Sequence, residues 1–476
     1  MTLSSAAGAP TPLSASSARF ALQGKPRLAL PMLLFLLALT VPVLIPLGPI
    51  VLTASRIIII LAIVPALVGL FSGRFGRILP TDWLFMLHGV WALAALMANN
   101  PDRTVQFGGV YNIDFFGAYM MGRAYVRSRS DMVALIQTMA FVVALTLPFA
   151  IFESLTGRSL ITEIIRSIPG IGANPKTFAE KRMGLTRVQV ALPTPIHYGI
   201  YATTALGLCF FGLKGVIPSA RRVLLSASIF ICGFLSLSSG AVLAIIAQGF
   251  LFGWQAMVRS PKRWLLLLGL TAFAYLVIDI ASSRSPMRVF MSYATFSAQS
   301  AYWRDLIFTF GMENVWAHPL FGIGLNDWAR PAWMYISSVD NFWLLTTMRF
   351  GIPGFLFLFA GYVMSVAGAI RAPLDGDPVT AQIRRAWVIT MVVLTLSLYT
   401  VHVWAEIHSA VFLMVGAGMW LTDARPEARD VRPAPEPKGP VWRRNLPGQQ
   451  RYAKAPSRQP DRAGIAYSRF SAKRRS

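Results

Sequence analysis

Two stretches of the sequence carry the residue types that phosphate chemistry needs. The first is Lys181-Arg182-Met183-Gly184-Leu185-Thr186-Arg187, which runs on through Pro193-Thr194-Pro195-Ile196-His197 into an apolar segment. The second holds Tyr302-Trp303-Arg304-Asp305, then His318-Pro319-Leu320-Phe321-Gly322-Ile323-Gly324, then Ser338-Val339-Asp340-Asn341. Arginine offers a planar fork of donors that grips phosphate oxygens in pairs, so Arg182, Arg187 and Arg304 suit an anion held just outside an apolar layer. Snorkelling to lipid headgroups is the plainer reading of the same cations, and for Lys181 it is the preferred one. Asp340 and Asp305 are carboxylates able to take a proton from an attacking hydroxyl, or to orient a neighbouring arginine. Arg349 lies about 10 Å inside the next apolar segment at 1.5 Å per residue. A charge there is costly without a cavity or a partner, which makes it a substrate-binding candidate; an ion pair with Asp340, Asp114 or Glu406 is the alternative.

Other polar residues are less informative. Gly322 and Gly324 allow a tight turn and a close backbone approach. His318 precedes a proline and is expected to hold a turn near the substrate rather than a metal. His88, His402 and His408 are scattered, and no His pair shares a ligand spacing with a third donor, so neither a metal site nor a cofactor is expected. Cys209 and Cys232 both fall in apolar segments and read as small buried hydrophobes, not as a disulfide framework.

The elements that must position these groups are membrane helices. Of 476 residues, 55% are hydrophobic and only 13% charged, against about 25% charged in soluble domains. Apolar stretches such as 28–47, 50–70, 132–152 and 264–280 are long enough to cross a hydrocarbon core of roughly 30 Å, where only a helix satisfies its own backbone. The expectation is an all-α polytopic bundle of about twelve transmembrane helices, near 28–47, 50–71, 82–98, 106–122, 132–153, 191–212, 223–238, 240–256, 264–281, 342–369, 386–404 and 408–421. The fourth, with Asn112 and Asp114 inside it, carries the weakest signal. The break at Ser236–Gly240 leaves the seventh and eighth open to being one bent helix or a re-entrant pair. Residues 28–421 form the membrane domain, with two long loops at 154–190 and 282–341.

The net charge of +24 raises the question of nucleic acid, but its distribution argues for a membrane surface. The tail 422–476 holds 14 Lys+Arg against 5 Asp+Glu, is rich in proline, and is expected to be disordered, as are residues 1–27. Those first residues lead into a retained helix rather than a cleaved signal. Alternate short loops carry Arg74 and Arg77; Arg123, Arg127 and Arg129; Lys214, Arg221 and Arg222; Arg259, Lys262 and Arg263; Arg371, Arg384 and Arg385. Loops of the other parity carry almost none, Arg103 being the exception. The positive-inside rule therefore puts the basic loops and both termini in the cytoplasm, and both long loops on the opposite side of the membrane.

Residues 182–199, in which an arginine precedes a proline-containing helix start, resemble the first extracytoplasmic motif of the O-antigen ligase and exopolysaccharide polymerase superfamily. Trp303-Arg304, the run from His318 to Gly324, and the stretch 340–354 resemble its large periplasmic loop and following helix. The ligase branch has His-Asn, nine residues, Gly, two residues, Gly. This chain has Asp340-Asn341, nine residues, Gly351, two residues, Gly354, so the spacing is kept and Asp replaces His. The resemblance covers most of the chain except the tail. It implies a metal-independent glycosyltransferase whose donor is a glycan on undecaprenyl pyrophosphate. The acceptor would be a second lipid-linked repeat unit, or lipid A core in a ligase. The Asp favours the polymerase-like branch. By position, Arg187 and Arg304 would hold the donor pyrophosphate and Asp340 would act as base; Arg182, Arg349, Asn341 and His318 would contact substrate. Polysaccharide export and chain-length proteins are candidate partners; nucleic acid is not. The rivals are a lipid-linked glycan flippase, which broken helices at Ser236–Gly240 and Gly351–Gly354 leave open, and a scaffold acting through the basic tail. Sugar, linkage and oligomeric state are not legible.

Overall fold

In a computed structural model of the chain, residues 27–48, 50–174, 181–282, 289, 298–373 and 377–423 are described. The terminal segments expected to be disordered lie, but for their edges, outside these residues. Among the described residues eight helices are long and apolar enough to cross a membrane: Ala54–Phe71, Pro80–Asn99, Arg129–Thr156, Ser239–Met257, Arg263–Ala281, Phe342–Arg371, Pro378–Thr400 and Ala405–Thr422. Many apolar side chains on them, such as Leu61, Val64, Val68, Leu265 and Leu268, face outward. That suits lipid, which exacts no cost for apolar exposure.

The remaining expected spans are shorter or built differently. Pro195–Gly207 continues into a π-helical turn, Leu208–Gly212, and Ser219–Leu235 is a separate 17-residue helix. Where the fourth span is expected, α and π turns alternate from Thr104–Gly108 through Gly109–Asn112 and Ile113–Gly117 to Ala118–Tyr125. Asp114 turns to Arg56 in a bidentate pair at 2.8 and 2.7 Å, and Asn112 Nδ2 donates to the carbonyl of Gly108 at 2.9 Å.

The first span departs from expectation. Only Leu30–Ala38 is helical, nine residues or about 14 Å, too short to cross. The chain then forms an antiparallel hairpin, Leu44–Leu47 with Ile50–Thr53, in the register Leu44↔Thr53 to Leu47↔Ile50. Pro42 and Pro46 each remove a backbone donor and disfavour continuing the helix, which hydropathy alone does not reveal. Leu44 also exchanges two backbone hydrogen bonds with Gly172, both at 2.8 Å, which ties this hairpin to the first long loop.

Contacts sort the loops into two ends of the bundle. At one end Arg127 donates to the carbonyl of Arg74, Arg123 to that of Arg77, Arg129 pairs with Asp377 at 2.6 Å, and Gln382 reaches the carbonyl of Lys214. These are the arginine-rich short loops. At the other end Asn100 meets Asn326, and the backbone N–H of Phe342 donates to the carbonyl of Val401. Both long loops carry structure of their own: a helix Leu160–Arg166 and a small hairpin, Lys181–Arg182 with Leu185–Thr186, in the first; a 20-residue helix, Ala298–Ala317, in the second.

The helix Phe342–Arg371 is broken at Gly351, whose φ of 72° and ψ of 178° no other residue adopts without strain. The break frees carbonyls that a membrane would leave unsatisfied. The segment 318–324 supplies the donors: Ile323 N–H to Met348 at 2.7 Å and Gly324 N–H to Arg349 at 3.1 Å. In return Ile352 N–H donates to Pro319 at 2.8 Å, and Trp91 Nε1 donates to the Phe350 carbonyl at 2.9 Å. Gly322 and Gly324 both have positive φ, and a Cβ on either would run into the Met348 carbonyl or the Asn100 side chain. Their role is this close approach.

Candidate functional site

Arg187 sits at the end of the small hairpin, on a strap tied down at each side. The carboxylate of Glu153 accepts from the backbone N–H of Gln189 at 3.3 Å and of Val190 at 2.9 Å. Val188 N–H donates to Leu235, and the Ser159 hydroxyl donates to the Val190 carbonyl at 2.6 Å. Val190 itself is held at φ 55°, a conformation costly for a β-branched residue and imposed here by its partners. Arg182 reaches across to the carbonyl of Leu237 at 3.0 Å. Leu237 has φ 46° and forms the corner between Ser219–Leu235 and Ser239–Met257, so these are two helices and not one bent one. That corner delivers Ser238, Ser239 and Gly240, the first turn of a 19-residue helix.

These groups meet residues from the second long loop. Arg182, Arg187, Ser238, Ser239, Gly240, Trp303, Arg304 and Asp340 line one cleft of about 290 Å³. Arg304 comes from the helix Ala298–Ala317 and Asp340 from the residues just before Phe342. Three guanidinium groups and the positive end of a helix dipole thus surround a space large enough for a pyrophosphate. Burial and the nearby Arg182 charge hold the Arg304 pKa below its ordinary value against the opposing pull of Asp340. Asp340 is open at the cleft mouth, yet the protein around it raises its carboxyl pKa, with Arg304 acting in the other direction. No direct salt bridge joins these two among the described residues. Trp303 gives the cleft an aromatic face, and its ring continues outside the lining to Tyr335, 5.1 Å away, and Trp333, 6.5 Å away, both largely exposed. Such faces are suited to an amphipathic ring such as a sugar.

The other expected residues stand elsewhere. Asn341 is buried and caps the broken helix, its Oδ1 accepting from Leu344 N–H at 3.0 Å. It borders a small void with Arg304 and Asp340. His318 is exposed, outside the cleft, at the start of the segment docked on the helix break. Asp305 does not line the cleft. Arg349 lines a different cavity, and Asp114, one of the three acids of the alternative ion-pair reading, is engaged by Arg56 instead. Glu153 is not singled out in the sequence, and the break at Ser236–Gly240 is read there without a place in the cleft. A lone acid closing a long apolar run is the one signal Glu153 offers; the helix start at Ser238–Gly240 offers a break but no direction.

Residues 224–359 match the family model described as O-antigen ligase, a span that contains Arg304, Asp340 and Arg349 but not Arg182 or Arg187. No curated protein matches the chain. The matched span, held on membrane helices, supports membership of the O-antigen ligase superfamily.

Proposed function

We propose that the protein is a polymerase-like glycosyltransferase of a bacterial inner membrane, joining undecaprenyl-pyrophosphate-linked glycan units at the periplasmic face. The observation that carries this reading is the convergence of Arg182, Arg187, Arg304, Asp340 and a helix N-terminus on one cleft, from four separate parts of the chain. In the proposed reaction an acceptor hydroxyl attacks the anomeric carbon of the donor sugar. The bond from that carbon to the pyrophosphate oxygen breaks, and undecaprenyl pyrophosphate leaves. Its growing negative charge falls among fixed guanidinium groups, which stabilise it where it develops. The hydroxyl proton passes to the Asp340 carboxylate, and direct attack inverts the anomeric centre. Asp in place of the ligase histidine favours polymerisation over transfer to lipid A core. The arginine-rich end of the bundle, with both termini, is assigned to the cytoplasm by the positive-inside rule.

The test is single replacement of Arg187 and Arg304 by Ala, with lipid-linked glycans analysed in membranes. Each variant is expected to lower polymer formation about 100-fold or more, the cost of losing a fixed donor to a developing anion. Single lipid-linked repeat units should accumulate. Long unattached chains would instead identify a ligase. Normal polymer from stably inserted variants would remove the donor-site reading, and transport of labelled lipid-linked glycan without bond formation would replace it with a flippase.

A further inference from the structure

A second cavity, of about 400 Å³, lies beside the first. The segment 401–404 separates them: Val401 lines the first, and His402, Val403 and Trp404 line the second. Its polar lining is Arg56, Asp114, Tyr111, Thr346, Arg349, His402 and His408; the rest is apolar and largely aromatic. Arg56 and Asp114 satisfy each other in their bidentate pair, and Arg56 also donates to the Val51 carbonyl at 2.9 Å. Arg349 has no such partner. No carboxylate of the described residues lies within ion-pairing distance of it, and its guanidinium rests over the Phe107 ring, 5.4 Å from the centroid. His408 is 3% exposed and His402 part-buried, and His408 Nε2 and His402 Nδ1 are buried with no hydrogen-bond partner. A cation in an apolar enclosure with unpartnered ring nitrogens beside it is costly unless an anion completes it.

We infer that this cavity is a second anion site, and that it takes the phosphate group of the lipid-linked acceptor. Resting on the polymerase reading of the first cleft, this gives each of the two lipid-linked substrates its own anchor. The chemistry selects an amphiphilic phosphate: one guanidinium and two imidazoles for the oxygens, aromatic and aliphatic walls for the adjoining chain. An aqueous sugar would leave most of that wall uncovered. Arg349 stands near the C-terminal end of the nine-residue half-helix that begins beside Asp340, so one rigid element links the acceptor anchor to the proposed base.

The full-length protein in detergent, titrated with undecaprenyl pyrophosphate alone and read by native mass spectrometry, tests this. The wild type is expected to bind two equivalents, Arg349→Ala one, and Arg304→Ala one. Leu345→Trp fills the cavity without changing charge and should also bind one, which guards against a folding defect in Arg349→Ala. In turnover assays Arg349→Ala should raise the KM for acceptor at least tenfold and leave that for donor unchanged. One equivalent on the wild type, retained in Arg349→Ala and Leu345→Trp, overturns the inference and leaves the first cleft standing. Two equivalents retained in Arg304→Ala would overturn the donor-site reading instead. A phosphatidylglycerol headgroup competing equally at the Arg349 site would reduce it to a structural lipid site and overturn the acceptor assignment.

Discussion

At the scale of single residues, the decisive question is which proton Asp340 handles. Its carboxyl pKa is raised chiefly by the protein around it, and the Arg304 charge works against that rise. A general base must be ionised to act, so the rate should climb as pH passes through the raised pKa and level off above it. The acid limb therefore falls at higher pH than for a free carboxylate. Removing the Arg304 charge by Arg304→Gln should shift the limb of the residual activity still further up, because the influence that favours the ionised form is gone. Asp340→Asn should remove the limb along with most of the rate, roughly a hundredfold or more. The measurement is the pH–rate profile of polymer formation from purified lipid-linked repeat units. A limb unchanged in Asp340→Asn would assign the base elsewhere and leave Asp340 as a partner that orients Arg304. Arg187, Arg304 and Asp340 stood out as candidates in the sequence because charged residues beside apolar runs are few and their chemistry is intrinsic, and the fold brings the three to one cleft. Which neighbour each would have was not, since Arg349 has a choice of three acids on paper and pairs with none of them in the fold.

At the scale of elements, Gly351 divides the molecule's most consequential helix. The segment before it carries Asn341 as its cap and Arg349 near its end, and the segment after it runs on as an ordinary span. The nine-residue spacing between Asn341 and Gly351 is thus the length of a half-helix, about 14 Å, and sets how far apart the two ends lie. Gly351→Ala would put a Cβ against the Leu320 carbonyl and force φ 72° and ψ 178° on a residue that resists it. The strained backbone alone costs about 1–3 kcal/mol, and the displaced 318–324 segment adds to it. The expected outcome is a lower thermal midpoint in detergent together with lost activity, since the half-helix lines the second cavity and begins two residues after Asp340 of the first cleft. Full activity at an unchanged midpoint would show that the break has no part in placing either. The sequence carried the glycines and the proline of this region but not their use. The hydrogen bonds that explain them join residues 25 to 33 positions apart, and local periodicity has no access to such pairs. The same limit hid Glu153, which matters only because the strap bearing Arg187 returns to it, and turned the apolar run 28–47 into a short helix and a hairpin.

At the scale of the whole molecule, the two-ended arrangement of loops makes a claim about sidedness that composition alone could only suggest. The arginine-rich short loops touch one another through Arg74, Arg123, Arg127, Arg129 and Lys214, whereas the residues of the cleft gather with the long loops. Positive charge in short loops resists translocation, so the basic end should stay in the cytoplasm and the cleft should open outside. The chain is well suited to a direct check, because Cys209 and Cys232 are both buried and contribute little background to thiol labelling. Glu313 and Arg259 are exposed, Glu313 on the helix that carries Arg304 and Arg259 in a short basic loop. A membrane-impermeant maleimide added to intact spheroplasts should label Glu313→Cys at once and Arg259→Cys only after permeabilisation. The reverse pattern would turn the cleft toward the cytoplasm, where no externally displayed lipid-linked glycan could reach Arg187 and Arg304. Labelling of both from outside would break the link between loop charge and orientation, and the proposed reaction would lose its compartment.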